Sequence, residues 1–429
     1  MKFSIKCLCV IMLLLPIVGG AAHAQLRGHG GPVRALAISP DGKHAISGSF
    51  DTSAIRWSLD RNAALQVLRF HDSAVNAVAI LPDERLVTGG EDGRIAVWQP
   101  TLGEPIQLFL GHTAPIVALA VSPDGKRLAS ASWDRTVRVW PVDGGPAMLL
   151  EGHQQNVNGV AFQPDGKAVV SISHDPEVRI WPFGGDATTI VKMPTPLNSV
   201  AVAPDGEIVT GGGDGKVYFL SPQGDRRGEV QASATPIIAI TVSLDGKLIA
   251  AAGIRGSVAI IDRKARKLDK TLVGPGLPVW SVAFFPDSRT ILTGGTDRMI
   301  RRWNAINGEP IDTVVVGAPE DPLAAYAGDH GAQVFRACVA CHALSLDEGN
   351  KAGPSLHNIF GRKIATLPGY PYSDAVKRMD IVWTPETVAK MFEVGPMTYT
   401  PGTKMPEQTI GSAEDRQALM EFLKKATVR

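Results

Sequence analysis

Short stretches in which apolar and polar residues alternate fill the chain from residue 28 to about residue 316. The stretch Val117–Val121, for example, is followed by the turn sequence Ser122–Gly125 and then by a second alternating stretch, Val137–Trp140. Alternation with a period of two is typical of half-buried β-strands. Proline favours the first position of such a turn, and glycine accepts the positive φ that follows. The pattern therefore predicts many short antiparallel strands.

This strand pattern is repeated along the chain. Tryptophans at 57, 98, 140 and 181 are separated by 41, 42 and 41 residues, and similar steps lead to Leu220, Ile261 and Trp303. Most units also contain a Pro-Asp-Gly turn or a close variant of it. Repeats of about 40 residues built from short strands are typical of propeller blades. The sequence therefore predicts an all-β propeller of seven blades over residues 25–317.

Four of the units share a set of polar residues: His29, Ser47, Asp51 and Trp57; His71, Thr88, Asp92 and Trp98; His112, Ser130, Asp134 and Trp140; His153, Ser171, Asp175 and Trp181. The set resembles that of the WD40 family, in which these side chains form a hydrogen-bonded group that braces each blade. The resemblance implies a structural role for the histidines rather than metal binding or catalysis. Units five and six retain less of the set, and we expect those blades to be softer.

Closure of the ring requires a fourth strand for the last blade. The stretch Pro310–Val316 resembles the outer strand that precedes each earlier unit, whereas residues 25–27 are too few for a full strand. We therefore expect the last blade to be completed from its own C-terminal side.

The N-terminus has the features of a secretory signal peptide. Lys2 and Lys6 precede the apolar run Cys7–Val18, and Ala22–Ala24 fits the small-residue cleavage rule. The apolar run is shorter than the roughly 20 residues that a membrane span requires. Residues 1–24 are thus predicted to be a signal peptide that is cleaved after Ala24, which implies export to the bacterial periplasm and no stable membrane span.

Composition excludes several classes of protein. The 429 residues are 44% hydrophobic and 20% charged, and the formal net charge is +1. These values exclude a disordered chain and a polycation, so no nucleic-acid partner is expected. Four cysteines, two of them in the predicted signal peptide, are too few for a disulfide scaffold.

The chain changes character at Gly317–Pro322, where the β pattern ends and a linker is predicted at residues 318–327. Cys338, Cys341 and His342 follow in a Cys-x-x-Cys-His motif. Two thiols at this spacing form thioethers to the vinyl groups of haem, and the adjacent His binds the iron. A redox dithiol or half a zinc site are the alternatives, and the absence of other cysteines in the mature chain disfavours both. One covalent haem c is predicted.

Two further segments, Gly353–Lys363 and Tyr399–Met405, resemble loops of class I cytochrome c of the mitochondrial and bacterial photosynthetic type. The resemblance covers residues 328–429 and implies an all-α domain. It further implies that Met405 is the second axial ligand and that the Pro354 carbonyl accepts the ring N–H of His342. Competing ligand candidates are Met379, Met391 and Met397.

The same resemblance implies further haem-pocket residues. Arg362, Tyr372 and Trp383 are expected to contact the haem propionates, and Thr403 belongs to the loop that presents Met405. A helix–helix contact is also implied, between Gly331 and Phe335 on the first helix and Leu419 and Phe422 on the last.

The leading interpretation is a periplasmic electron carrier whose propeller docks a redox partner protein. With His342 and Met405 on the iron, no ligand position is open for substrate chemistry, so electron transfer is favoured over catalysis. Two alternatives stay open. The chain could be part of a periplasmic redox enzyme whose propeller binds substrate or a second cofactor, or it could be a haem-based sensor or scaffold.

Overall fold

The computed structural model describes residues 25–273, 277–311, 323–336, 338–339, 342–345, 353–368, 370, 372–403, 405 and 409–428. The predicted signal peptide, Cys341 and residues 318–322 of the predicted linker lie outside these ranges. Strands occupy the described chain up to Asn304, and helices occupy it from Ala324 onward.

Seven sheets of four antiparallel strands form the propeller. The chain starts with β1 (Leu26–Arg27), which belongs to blade 7. Blade 1 consists of β2 (Val33–Ile38), β3 (His44–Ser49), β4 (Ser53–Ser58) and β5 (Ala63–Arg69). Blade 2 consists of β6 (Val75–Ile80), β7 (Leu86–Gly90), β8 (Ile95–Trp98) and β9 (Pro105–Phe109). Blade 3 consists of β10 (Ile116–Val121), β11 (Arg127–Ser132), β12 (Val137–Pro141) and β13 (Met148–Leu150).

The remaining blades repeat this order. Blade 4 consists of β14 (Val157–Phe162), β15 (Ala168–Ser173), β16 (Glu177–Pro182) and β17 (Thr189–Lys192). Blade 5 consists of β18 (Leu197–Val202), β19 (Ile208–Gly212), β20 (Lys216–Leu220) and β21 (Arg226–Gln231). Blade 6 consists of β22 (Ile237–Val242), β23 (Leu248–Gly253), β24 (Ser257–Asp262) and β25 (Lys267–Val273). Blade 7 consists of β26 (Val279–Phe284), β27 (Thr290–Gly295), β28 (Met299–Asn304) and β1.

The first strands of neighbouring blades contact each other, so these strands surround the central channel. Apolar clusters fill the space between adjacent blades, because each strand turns alternate side chains toward the next sheet. The predicted seven-bladed all-β propeller is confirmed.

Blade 7 is closed by the N-terminal strand. Leu26 pairs with Ile300 and Arg27 with Met299, and Leu26 is buried. The N-terminal strand pairs with only the first two residues of β28. Further along the same edge, Pro310 bridges Trp303, and the Ile311 N–H donates to the Arg302 carbonyl at 3.2 Å, so the described residues on the C-terminal side share this edge. Residues 312–316 of the strand expected from the C-terminal side lie outside the described residues. Pairing of the first strand with β28 places both ends of the ring in one sheet, which protects part of the sheet edge that an open ring would expose.

The polar set predicted for the first four blades is present as a chain of hydrogen bonds. In blade 1, His29 Nδ1 lies 3.0 Å from Asp51 Oδ2, and His29 Nε2 lies 2.7 Å from Ser47 Oγ. Trp57 Nε1 donates to the same Ser47 Oγ at 2.7 Å. Corresponding distances in blades 2 to 4 lie between 2.7 and 3.1 Å. The hydrogen-bonded group that the WD40 resemblance implies is therefore present in all four blades.

In blades 5 and 7, residues other than histidine contact the aspartate that corresponds to Asp51 of blade 1. In blade 5 the Tyr218 hydroxyl donates to Asp214, and in blade 7 the Arg301 guanidinium pairs with Asp297. In blade 6 the corresponding serine position is Ala251, and its surroundings are apolar. Blades 1–5 and 7 therefore each contain a polar side-chain contact at this place, which we call the brace. Among the described residues, blade 6 has no brace.

The C-terminal domain is helical. Its elements are a short 3-10 helix at Ala324–Tyr326 and the α-helices α1 (His330–Phe335), α2 (Asp374–Lys377), α3 (Pro385–Val394), α4 (Pro396–Tyr399) and α5 (Ala413–Ala426). Side-chain oxygens of Asp329, Ser373, Thr384 and Ser412 cap the N-termini of α1, α2, α3 and α5. No helix among these described residues is long and apolar enough to cross a membrane.

Helices α1 and α5 cross at the predicted glycine contact. A Cβ atom on Gly331 would lie 2.1 Å from the Ala418 carbonyl oxygen, so only glycine allows this approach. The rings of Phe335 and Phe422 pack beside it with centroids 5.3 Å apart. Leu323 and Tyr326, from the predicted linker, belong to the same core, since the Tyr326 ring meets Phe422 edge-on at 5.0 Å.

Candidate haem site

An apolar cavity in the helical domain brings the predicted site residues together. Of the nine predicted residues, eight line it: Cys338, His342, Pro354, Arg362, Tyr372, Trp383, Thr403 and Met405. The ninth, Cys341, lies outside the described residues. These eight come from four separate segments of the chain, so only the fold assembles them.

His342 is held in a defined orientation. The backbone N–H of His342 donates to the Cys338 carbonyl at 2.9 Å, which sets the two residues one helical turn apart. The His342 ring donates from Nδ1 to the Pro354 carbonyl at 2.8 Å. With the proton on Nδ1, Nε2 is the ring nitrogen whose lone pair a metal can accept. The contact implied by the family resemblance is therefore present in the geometry.

Met405 stands at the end of a loop fixed by hydrogen bonds. The Thr403 N–H donates to the Thr400 carbonyl at 2.9 Å, and the Thr403 hydroxyl accepts from the Met405 N–H at 3.1 Å. Gly402 turns this loop with a φ of 78°, and its carbonyl accepts from the Ser373 hydroxyl at 2.7 Å. Thr403 thus positions the backbone of Met405 rather than its sulfur.

One competing methionine shares the cavity wall. Met391, on α3, is buried and lines the cavity, while Met379 is not among the described lining residues. The side chain of Met397 is outside the described part of the chain. Met405 and Met391 are therefore the two described methionine candidates for an iron ligand.

A short backbone pairing joins Arg362 and Trp383, two of the three residues predicted to contact propionates. The Gly361 N–H donates to the Trp383 carbonyl at 2.8 Å, and the Trp383 N–H donates to the Arg362 carbonyl at 2.9 Å. This exchange aligns two segments that lie far apart in sequence. It places Arg362 and Trp383 on one wall of the cavity, together with Tyr372.

Electrostatics at this wall favour an anion. The Arg362 guanidinium donates to the carbonyl oxygens of His357 at 3.0 Å and Ser355 at 2.8 Å, which are neutral acceptors. Burial lowers the pKa of Arg362. Burial also raises the pKa of Tyr372, although the nearby charge of Arg362 acts in the opposite direction. A desolvated cation held by neutral carbonyls would be stabilised by a carboxylate group bound in the cavity.

Most of the apolar cavity wall carries no recognisable motif in the sequence. Ile359, Ile364 and Val388 line the cavity without having been singled out. Their apolar character marks them as core residues, but only the packing decides which of them face the cavity. The cavity thus combines a buried thiol, an oriented imidazole, apolar walls and an arginine without a carboxylate partner in the cavity lining. This combination fits a covalently attached haem.

Comparison with known families gives three matches. The model of the IFT122 first β-propeller matches residues 83–318, which is more than half of the chain. The WD domain, G-beta repeat, matches residues 21–58 and 62–99. The cytochrome c model matches residues 328–427.

Individual relatives match the C-terminal domain. Cytochrome c of Cochliobolus lunatus is 43% identical over 98 residues, which cover 23% of this chain and 90% of that protein. Cytochrome c of Arabidopsis thaliana is also 43% identical over 98 residues, covering 23% and 87%. Cytochrome c type-1 of Ascaris suum is 37% identical over 108 residues, covering 25% and 93%. These matches imply covalently bound haem c. The chain belongs to the cytochrome c family in its C-terminal domain and to the WD-repeat β-propellers in its N-terminal domain.

Proposed function

We propose that this protein is a periplasmic electron carrier, in which the haem c domain moves single electrons and the propeller docks the redox partner protein. One observation carries the proposal. The predicted haem residues that the structure describes line a single apolar cavity, with the His342 ring held by the Pro354 carbonyl at 2.8 Å. A cavity of this kind suits a buried one-electron centre better than a site that must admit substrate.

In this proposal each residue has a definite role. Cys338 and Cys341 would attach the haem through thioethers, and His342 and Met405 would bind its iron. Bound haem c supplies a one-electron ferric–ferrous couple, and a thioether ligand favours its ferrous form relative to a second histidine. The Pro354 carbonyl accepts the His342 N–H and so raises the basicity of the ring.

The polar wall completes the site. Arg362, Tyr372 and Trp383 would hold the haem propionates, because desolvated carboxylates require charged or hydrogen-bonding partners. Thr403 fixes the backbone of Met405, which keeps the sulfur in reach of the cavity. These residues would bind the haem and hold it in one orientation.

The assignment of Met405 has a direct test. Replacing Met405 with Ala should abolish the six-coordinate low-spin spectra of the ferric and ferrous protein at neutral pH, because the second axial ligand is lost. Met391→Leu is the matched control, since Met391 lines the same cavity and should leave the spectra unchanged. Unchanged spectra in Met405→Ala, or their loss in Met391→Leu, would refute the assignment.

Carbon monoxide binding to the unmodified protein tests the electron-carrier role. Carbon monoxide should not bind spontaneously to the ferrous protein if Met405 occupies the iron. Binding would contradict the proposal and favour a haem sensor. A second chromophore in the purified protein would instead favour a redox enzyme with its own cofactor in the propeller.

Export is tested on protein purified from its native host. If residues 1–24 are a signal peptide, N-terminal sequencing should find Gln25 as the first residue, and cell fractionation should find the haem protein in the periplasm. A chain that begins at Met1, or one recovered from the cytoplasm, would contradict the periplasmic assignment.

A further inference from the structure

Seven equivalent β-bulges surround one end of the propeller channel. In each blade the pairing of the first and second strands shifts by one residue near the start of the first strand. Because the first strands line the channel, the bulged residues form a ring at its end, which we call the channel mouth. The members of this ring are Arg34, Asn76, Val117, Asn158, Asn198, Ile238 and Trp280.

One charged residue stands in this ring. Arg34, in blade 1, is the cation, and the other six positions are polar neutral or apolar. Asn158 and Asn198 donate to the carbonyls of Leu197 and Ile237 in the following blades, at 2.9 and 3.0 Å. Those asparagines join neighbouring blades, so the same bulge position serves blade packing elsewhere in the ring. Among the described contacts, the Arg34 side chain makes no such hydrogen bond to a neighbouring blade.

Two aromatic side chains border Arg34. The Arg34 guanidinium carbon lies 5.7 Å from the centroid of the Trp280 ring, and the Phe50 ring meets Trp280 edge-on at 6.3 Å. Trp280 is fixed by a hydrogen bond from its Nε1 to the Thr296 hydroxyl at 2.9 Å. Phe50 is 45% exposed although it is a large apolar residue. We call Arg34, Phe50 and Trp280 the Arg34 corner.

The charge of Arg34 has no carboxylate to balance it within the described structure. Burial lowers the pKa of Arg34, and no acidic residue acts in the opposite direction. By contrast, Arg301 pairs with Asp297 and Arg94 pairs with Asp92 in the same propeller. Residues 274–276, which lie outside the described ranges, are Gly-Pro-Gly and carry no side-chain charge. A half-buried cation without a carboxylate partner among the described residues is stabilised by an anion that approaches the channel mouth.

We propose that the Arg34 corner receives a carboxylate side chain from an acidic segment of the partner protein. Guanidinium groups bind carboxylates through two parallel hydrogen bonds, and tryptophan and arginine commonly dominate the binding energy of protein interfaces. Phe50 and Trp280 offer apolar contact beside the charge, so an acidic residue next to an aromatic one fits best. This inference rests on the proposed docking role of the propeller and names the chemistry that the propeller recognises.

The test uses the full-length haem-loaded protein and two synthetic peptides. The probe is acetyl-Gly-Glu-Phe-Glu-Gly-amide, and the reference peptide replaces both Glu with Gln. Isothermal titration calorimetry at low salt should show that the unmodified protein binds the Glu peptide about tenfold or more tightly than the Gln peptide. Arg34→Gln should remove this preference, because the charged hydrogen-bonding group is lost, and Arg34→Lys should restore part of it.

Two further variants keep the result interpretable. Phe50→Ala should weaken binding of the Glu peptide, and it should fold because the Phe50 side chain is exposed. Arg61→Gln is the matched control, since Arg61 is exposed in the turn after β4, at the opposite end of blade 1, and its loss removes the same charge. Binding by Arg61→Gln should equal that of the unmodified protein.

Three results would overturn the Arg34 corner: equal affinity for the two peptides, full affinity in Arg34→Gln, or complete competition by inorganic phosphate at concentrations below those of the peptide. The last would identify a small-anion site rather than a docking site. Each result would leave the haem spectra and the electron-carrier role untouched. Failure of the proposed function would appear instead as an open iron site in the unmodified protein.

Discussion

Replacing Ser130 with Ala tests the brace of blade 3. Ser130 is fully buried, and its hydroxyl joins two groups: it accepts from Trp140 Nε1 at 2.9 Å and lies 2.7 Å from His112 Nε2. Because His112 Nδ1 faces Asp134 at 2.7 Å and carries the proton, Nε2 accepts the Ser130 proton. Alanine fits the space but leaves the indole N–H and the imidazole nitrogen without a partner.

The magnitude follows from those two groups. A buried polar group without its partner costs about 1–3 kcal/mol, so the propeller should lose about 2–6 kcal/mol of unfolding free energy. Blade 6 shows that an alanine at this position is compatible with the fold when its neighbours are apolar, since Ala251 occupies the position of Ser130 there. Removing one member of a polar set should therefore cost more than removing the whole set. In a Trp140→Phe background, Ser130→Ala should cost at least about 1 kcal/mol less, because one unsatisfied donor is gone.

The assay is denaturant unfolding of the full-length protein, followed by near-ultraviolet circular dichroism. Seven of the eight tryptophans belong to the propeller, so this signal reports mainly on that domain. Thr101→Ala, in an exposed turn, is the control and should change the free energy by less than about 0.5 kcal/mol. A loss as small as that in Ser130→Ala, or an equal loss in the Trp140→Phe background, would refute the reasoning.

Two further changes probe other parts of the molecule. Gly331→Ala should destabilise the haem domain by about 1–3 kcal/mol, because the new Cβ would lie 2.1 Å from the Ala418 carbonyl oxygen; haem-monitored unfolding measures this, and exposed Gln333→Ala should have no such effect. Acid should destabilise the propeller in two stages. Burial lowers the pKa of His153 from 6.5, so the unfolded chain binds more protons below that pH and stability falls. Burial alone would raise the pKa of Asp51, but His29 and Ser53 outweigh it and hold the pKa well below 3.8, so a second loss should begin near that value. A denaturation midpoint that stays constant, or rises, from about pH 8 to pH 4 would contradict this sign.

Local patterns in the sequence determined the architecture and the chemistry of the haem site. Each propeller repeat contains its own strand alternation, turn and polar set, so the number of blades can be counted without knowing how they pack. The Cys-x-x-Cys-His motif and the two loops around Pro354 and Met405 similarly carry their chemistry within short segments. Such features depend on neighbours in sequence, and that is why they can be predicted.

Contacts between distant segments were decided only by the tertiary structure. Closure of blade 7 depends on the pairing of Leu26 with Ile300, and a two-residue strand has no sequence pattern that identifies its partner. Tyr218 and Arg301 take over the brace positions of blades 5 and 7 because their polar ends reach Asp214 and Asp297. Arg34 looks like an ordinary strand residue in the sequence. Its unbalanced charge beside Trp280 arises because the ring brings blades 7 and 1 together, and residues that meet only through ring closure leave no local signal in the chain.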